Sequence, residues 1–367
     1  MIDLGADLTT LARAGDLVTL TAALIDMPSE SFAEAPITDA IEMVLRNNLN
    51  LEVTRIGDNL VARTQLGRDR RLILAGHTDT VPADGNQTAR LEGDTLWGLG
   101  STDMKGGLAV MLALATSPLE SSMDVTYVFY AREEVAGVHS GLGELFETAP
   151  ELLEGDLAIL GEPTDGDIEA GCQGTIRVEV VLAGSRAHTA RAWMGRNAIH
   201  RLAGILGGID SYEPRRPTIL GCEFHEALQV VKVTGGVSGN VVPDSASLDI
   251  AHRFAPDRSL AEAEAHLRDF LGEWIEPGDT LRVVDSAPAA YPAVEDPSVT
   301  SLIQKHGLEV RAKLGWTDVA RFSSVGIPAV NLGPGIAAIA HTAEERVERR
   351  SLERTFDVLD DLLFGGE

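Results

Sequence analysis

The sequence predicts an α/β protein: a mostly parallel sheet flanked by helices, interrupted by an inserted module of ferredoxin-like βαββαβ order. Three observations carry this. Helical and strand periodicities alternate up to about residue 163 and return after about residue 286. Between them the order is strand, helix, strand, strand, helix, strand. The length, 367 residues with 44% hydrophobic and 23% charged, suits two packed domains. The expected organisation is a discontinuous domain over 1–173 and 285–367, with the module at 174–284.

The elements follow in order. Residues 8–25 and 37–49 place apolar side chains at helical spacing, the second with Thr38 and Asp39 near its start. Strands are predicted at 51–56, 60–64 and 71–75, a helix at 106–115, and strands at 125–130 and 157–160. In the module, 175–182 alternates as a strand and 197–209 is a helix. Strands follow at 228–233 and 246–250, then a helix at 260–273 and a strand at 280–284. The chain closes with a helix near 298–306, a short strand at 329–332 and a helix at 352–363.

Thirty Lys+Arg against 56 Asp+Glu gives a net charge of −26. Such a surface repels nucleic acid and anionic membranes, because phosphate binding needs a basic face. It suits solubility and the concentration of cations. The two cysteines, Cys172 and Cys222, are too few for a disulfide framework and predict free thiols. The start, MIDLGADLTTLARAGD, lacks a basic stretch followed by an apolar one, and no apolar run reaches about 18 residues. A cytoplasmic protein is expected.

Candidate chemistry lies at the ends of apolar segments. His77 ends the strand RLILAGH, and Asp79, two residues on, shares its side if the strand continues. A carboxylate beside an imidazole accepts one ring N–H and frees the other nitrogen for a metal; a surface His–Asp turn is the ordinary alternative. Asp103 stands in WGLGSTDMKGG before a helix, as a cap or as a carboxylate shared by two cations. Gly98 and Gly100 do not make a dinucleotide loop, since the third glycine and the acidic residue about 20 positions on are both missing. Glu133 and Glu134 follow a buried-type strand. Neighbours on an extended chain point to opposite sides, so one would bind metal while the other acts as a base, unless both belong to an acidic loop. Glu162 follows another apolar strand, before Pro163, and His341 follows a Gly-Pro-Gly loop. His139, His200, His225, His266 and His306 lack such settings and are read as structural. In an α/β sheet, strand ends collect at one rim. Two histidines and three or four carboxylates there suit two divalent cations, Zn²⁺ first, with Co²⁺ or Mn²⁺ as substitutes.

The segments GHTDTVP, GSTDMKGG, EEVAG, GEPT and the late histidine resemble the di-zinc amidohydrolase family of aminoacylases, carboxypeptidase-G-type enzymes, acetylornithine deacetylases and succinyl-diaminopimelate desuccinylases. The resemblance spans nearly the whole chain. It implies a di-zinc exopeptidase-like catalytic domain, with the module as a lid and homodimerisation domain. It further implies that His77 and Glu162 hold one zinc, Glu134 and His341 the other, and that Asp103 bridges them. Asp79 would orient His77, Glu133 would be the general base, and Asp103–Met104 would be a cis peptide. His188 in RAHTARAW would reach into the partner protomer's site. Asn240 in SGNVVPD and Arg253 in HRFAPDR would bind substrate. Apart from the resemblance, substrate carboxylates need cations in so acidic a chain, Arg253 first, with Arg191 and Arg177 behind it; a surface strand residue is the ordinary alternative for Arg177. GEPT-x₄-EAGCQG, NVVPD and KLGWTDVARFS are nearest the desuccinylase branch, which implies release of succinate from N-succinyl-LL-2,6-diaminopimelate. Deacetylase, other N-acyl amino-acid amidohydrolase and dipeptidase activities are the alternatives. The chain departs from better-known desuccinylases at Cys172-Gln173, at Arg191 in place of Tyr, and around Ala337.

Overall fold

The computed structural model describes residues 8–117 and 121–365. The chain divides into two compact units. The first comprises Met1–Ala170, Ala293–Arg311 and Arg321–Glu367; the second comprises Gly171–Pro292 and Ala312–Ala320.

The first unit is built on a mixed sheet with a parallel centre. Arg71–His77 pairs in parallel with Asp124–Tyr130 on one side and Leu157–Leu160 on the other, and Ala329–Asn331 continues in parallel beyond. Asp124–Tyr130 is buried at every position, as expected for a strand covered on both faces. The flanks are antiparallel. Glu52–Ile56 and Asn59–Arg63 form a hairpin whose two-residue turn begins at Gly57, with φ 58°. That hairpin joins the sheet against Asp124–Tyr130, and at the other flank Ile168–Ala170 pairs antiparallel with Ala329–Asn331.

Helix Lys105–Thr116 is the centre of the helical layer. Its sequence, KGGLAVMLALAT, has no charge beyond the first residue, and all but the last residue are buried. It packs against the helices Leu8–Ala14, Leu17–Ile25, Ala35–Arg46 and Arg349–Phe364. A Cβ at Gly107 would lie 2.4 Å from the carbonyl oxygen of Gly161, so glycine lets this helix approach the strand end that carries Glu162.

The predicted 8–25 helix is two helices. Gly15, at φ 66°, breaks it, and the Asp16 side chain caps the second by accepting from Thr19 N. A small three-stranded sheet of Arg90–Glu92, Thr95–Trp97 and Arg346–Glu348 is also absent from the sequence reading. Each strand has only three residues. Its central ring, Trp97, is sandwiched by the guanidinium groups of Arg90 and Arg346 at 5.0 and 4.8 Å.

The second unit has the βαββαβ order. Its main sheet comprises Gly174–Ala183, Ala227–Gly235, Ser245–Phe254 and Thr280–Ala287, its helices are Ala198–Asp210 and Leu260–Gly272, and a short hairpin of Thr218–Ile219 and Cys222–Glu223 precedes the second strand. All strand pairings are antiparallel, with Ser245–Phe254 and Gly174–Ala183 central and Ala227–Gly235 at one edge. Ile176, Val178, Val180 and Leu182 alternate inward and pack with Leu202, Ile205, Leu267 and Leu271. Each such fully buried aliphatic side chain contributes about 1.5–3 kcal/mol. Periodicity alone bounds the module at 174–284. The compact unit is longer because Cys172 and Ala290 exchange main-chain hydrogen bonds of 3.0 Å, while Gln173 N donates to Lys313 O and Trp316 Nε1 to Pro288 O. Among the described residues, no helix is long and apolar enough to cross a membrane.

Candidate metal centre

Three neighbouring parallel strands deliver most of the site, because parallel strands end at one rim. His77 is the last residue of Arg71–His77. Glu133 and Glu134 follow Asp124–Tyr130, and Glu162 follows Leu157–Leu160. Asp103 lies in the turn before helix Lys105–Thr116, and the Asp103–Met104 bond is cis. His341, at φ 60°, comes from the segment before Arg346–Glu348.

These side chains converge. One donor atom from each of His77, Asp103 and Glu162 lies within 4.8 Å of the other two, and the same holds for Asp103, Glu134 and His341. The two groups share Asp103, whose oxygens face different rings. Its Oδ1 is 3.0 Å from His77 Nε2, and its Oδ2 is 3.4 Å from His341 Nε2. His341 Nε2 is also 2.8 Å from Glu134 Oε1. A third group joins His77, Glu133 and Glu134.

The tautomer of His77 follows from its surroundings. Nδ1 lies 3.0 Å from the main-chain oxygen of Asp79, which can only accept, so Nδ1 carries the proton and Nε2 can offer its lone pair to a cation. Asp79 was expected to do this through its carboxylate, which is farther away at 3.6 Å. That carboxylate has another task. Oδ1 accepts from Glu133 N at 2.9 Å, and Oδ2 accepts from Glu134 N at 3.1 Å and Ser31 Oγ at 2.7 Å. The two preceding amides are held as well: Arg132 N donates to Glu34 Oε1 and Ala131 N to Asn59 Oδ1. Four successive N–H groups therefore end on buried side chains, and the turn bearing Glu133 and Glu134 is held from behind.

The electrostatics favour cations. Burial opposes protonation of His77, yet Asp103 and Asp79 outweigh it and hold its pKa well above the usual value. Hydrogen bonds to Asp103, then Glu134, raise His341 to about 10. Burial would raise the Asp103 carboxyl, but His341 and His77 hold it well below the carboxylate range. Protons thus collect on imidazoles that face carboxylates, and divalent cations would displace them. Mixed imidazole and carboxylate donors with one shared carboxylate fit divalent transition ions.

Residues from the second unit fall into two places. His188, exposed, accepts from Ala190 N through Nδ1 at 3.0 Å, so its proton sits on Nε2, the nitrogen free to donate. Beside it, Thr189 N donates to Asn240 O and His188 bridges Val241; Arg191, also exposed, lies in the same segment. Arg253 is elsewhere. It lies next to the last residue of Ser245–Phe254, a strand that begins near the Asn240 segment. Eight steps of about 3.3 Å carry the strand about 26 Å from Ser245 to Arg253. Arg253 is half-buried with Nη1 making no hydrogen bond; burial, then Arg177, lower its pKa, and Asp285 acts in the other direction.

One residue of the site has no signal in the sequence. Glu345 reads as part of an acidic surface pair, Glu344–Glu345, but is buried beneath the Asp103 turn. Its burial depends on the small sheet that begins at Arg346.

Residues 73–364 match the model of peptidase family M20/M25/M40. The chain is 45% identical over 340 residues to the succinyl-diaminopimelate desuccinylase of Corynebacterium glutamicum, covering 90% of this chain and 92% of that one. It is 48% identical over 353 residues to a Mycobacterium tuberculosis protein that carries a provisional form of the same name, covering 96% and 99%. Among solved structures, aminopeptidase PepT from Bacillus cereus has the same fold, with TM-score 0.78 at 20% identity over 95% of this chain and 97% of that one. YXEP from Bacillus subtilis, described as a dinuclear metal-binding peptidase, superposes with TM-score 0.70 at 16% identity, covering 96% and 97%. With four-fifths of its length matched and this identity to full-length relatives, the chain belongs to peptidase family M20/M25/M40.

Proposed function

We propose that this chain hydrolyses N-succinyl-LL-2,6-diaminopimelate to succinate and LL-2,6-diaminopimelate, using two divalent cations, zinc first. It is a metal-dependent amide hydrolase. The observation that carries the reading is Asp103, which directs one carboxylate oxygen to His77 and the other to His341, in a chain so similar to a desuccinylase. His77, Glu162 and Asp103 would hold one ion; Glu134, His341 and Asp103 would hold the other.

When bound, such ions supply Lewis acidity, polarising the scissile carbonyl and making water acidic enough to ionise near neutral pH. The chain's own residues do the rest. Glu133, within 4.8 Å of donor atoms of His77 and Glu134, takes the proton of the attacking water and passes it to the departing amine. His188 donates its Nε2–H to the developing oxyanion. Arg253, with Nη1 open, pairs with a substrate carboxylate, and Asn240 and Arg191 flank His188. His188 and Arg253 of one protomer lie too far apart for one small substrate. This supports an arrangement in which they serve different active sites of a homodimer.

The edge strand Ala227–Gly235 supports the same dimer. It exposes Val231 at 58% and Val233 at 49% beside unpaired main-chain groups. Sedimentation should give twice the 39.1 kDa chain mass. Val233→Arg should shift it toward monomer and lower kcat together; full kcat in a monomeric variant would sink the dimer reading. A biosynthetic role in the cytoplasm goes with this activity.

The direct test offers metal-reconstituted protein N-succinyl-LL-diaminopimelate and N-acetylornithine side by side, with a chelated control. Chelator-sensitive release of succinate from the first alone is expected. Turnover of the acetyl substrate instead would keep the metal chemistry and move the specificity to a deacetylase. No metal-dependent turnover of either would overturn the desuccinylase reading.

A further inference from the structure

We propose that Glu345 is a positioning residue for the metal centre: its carboxylate fixes the Asp103 turn and so sets where the shared carboxylate stands between His77 and His341. The proposal rests on the reading of Asp103 as a shared ligand.

The turn from Gly98 to Asp103 is wrapped around Glu345. Its Oε1 accepts from Thr102 N and Asp103 N, each at 3.0 Å, and its Oε2 accepts from Gly100 N at 3.0 Å. Its main-chain oxygen accepts from Gly98 N at 3.1 Å, and the next carbonyl, of Arg346, accepts from Thr102 Oγ1 at 2.7 Å. Successive amides that turn inward make an anion-binding concavity, and Gly100, at φ 77°, permits that curl. Here the anion is the chain's own carboxylate, 1% exposed.

The consequence is directional. With its amide held from behind, Asp103 presents both carboxylate oxygens forward, one toward each imidazole. Glu345 also lies four residues after His341, so one short segment carries a donor of the second group and the clamp on the shared donor. It is the counterpart of Asp79, whose carboxylate holds the amides of Glu133 and Glu134. Two buried carboxylates outside the donor groups thus each set the main chain of a ligand-bearing turn. Partners of this kind typically change metal affinity or activity by about 10–100-fold when altered.

The test is Glu345→Gln in the full-length protein. Glutamine keeps the size but turns an –NH₂ toward an amide N–H, so one of the three bonds becomes a donor–donor contact. Zinc affinity is measured by competition with a chromophoric chelator, alongside the Tm of the metal-free protein and steady-state kinetics across zinc concentrations. The expected result is a zinc affinity lower by about 10–100-fold with KM for substrate unchanged and much of kcat recovered at high zinc. Glu345→Asp, which keeps two oxygens on a shorter stem, should fall between the two proteins. Wild-type zinc affinity in a folded Glu345→Gln protein would overturn the proposal. Should that variant not fold, wild-type affinity in Glu345→Asp would overturn it, and weakened affinity would support it. Absence of zinc binding by the unaltered protein would instead overturn the metal-centre reading itself.

Discussion

Glu133→Gln should lower kcat by about 10²–10⁴-fold, the range for loss of a general base, while leaving metal content at the wild-type level. Glutamine is nearly isosteric, so it removes the proton acceptor and little else. The main chain that carries the side chain does not depend on it: the amides of residues 131–134 are held by Asn59, Glu34 and Asp79. Glu134, in contrast, is 2.8 Å from His341 and belongs with Asp103 to the second donor group. Elemental analysis of the purified variant decides between the two neighbours. Metal lost in proportion to activity would exchange the roles of Glu133 and Glu134.

His188→Ala should cut kcat by about 10²–10³-fold, the cost of one oxyanion donor, with metal content unchanged. The ring is exposed and its Nδ1 is occupied by the Ala190 amide, so the substitution removes an available Nε2–H without opening a core. The same variant tests whether the histidine acts across a dimer. Mixing inactive His188→Ala and Glu133→Gln proteins and allowing subunits to exchange should restore activity. A mixed dimer has one site with an intact Glu133 that receives an intact His188 from the other chain. If His188 served its own protomer, every site in every mixture would lack one of the two groups, and the mixture would stay inactive.

Most of the candidate metal centre is legible in the sequence because the side chains that would hold the ions stand where the chain changes character. His77, Glu134 and Glu162 each close or follow an apolar strand, and Asp103 sits in a glycine-rich turn before a helix free of charge beyond Lys105. Such boundaries are local and survive in one dimension. What is not legible is set by contacts distant in sequence. Glu345 is one acidic residue among 56 until strands of three residues bury it under a turn some 240 positions away. The part Asp79 plays was half visible: its proximity to His77 follows from spacing, whereas its grip on the amides of Glu133 and Glu134 depends on how two strand ends meet. Gly15 split a helix that periodicity alone runs together, because apolar spacing does not register one residue with positive φ.

The four captured amides behind Glu133 and Glu134 carry a biological corollary. A turn tied down by Asn59, Glu34 and Asp79 takes its main-chain hydrogen bonds from side chains of the chain itself. The turn should therefore keep its shape when a chelator strips the metal, unlike a zinc finger that unfolds without it. Which ion rides is left to ligand chemistry and to local supply, along the Irving–Williams series. One amino-acid sequence then serves more than one divalent ion.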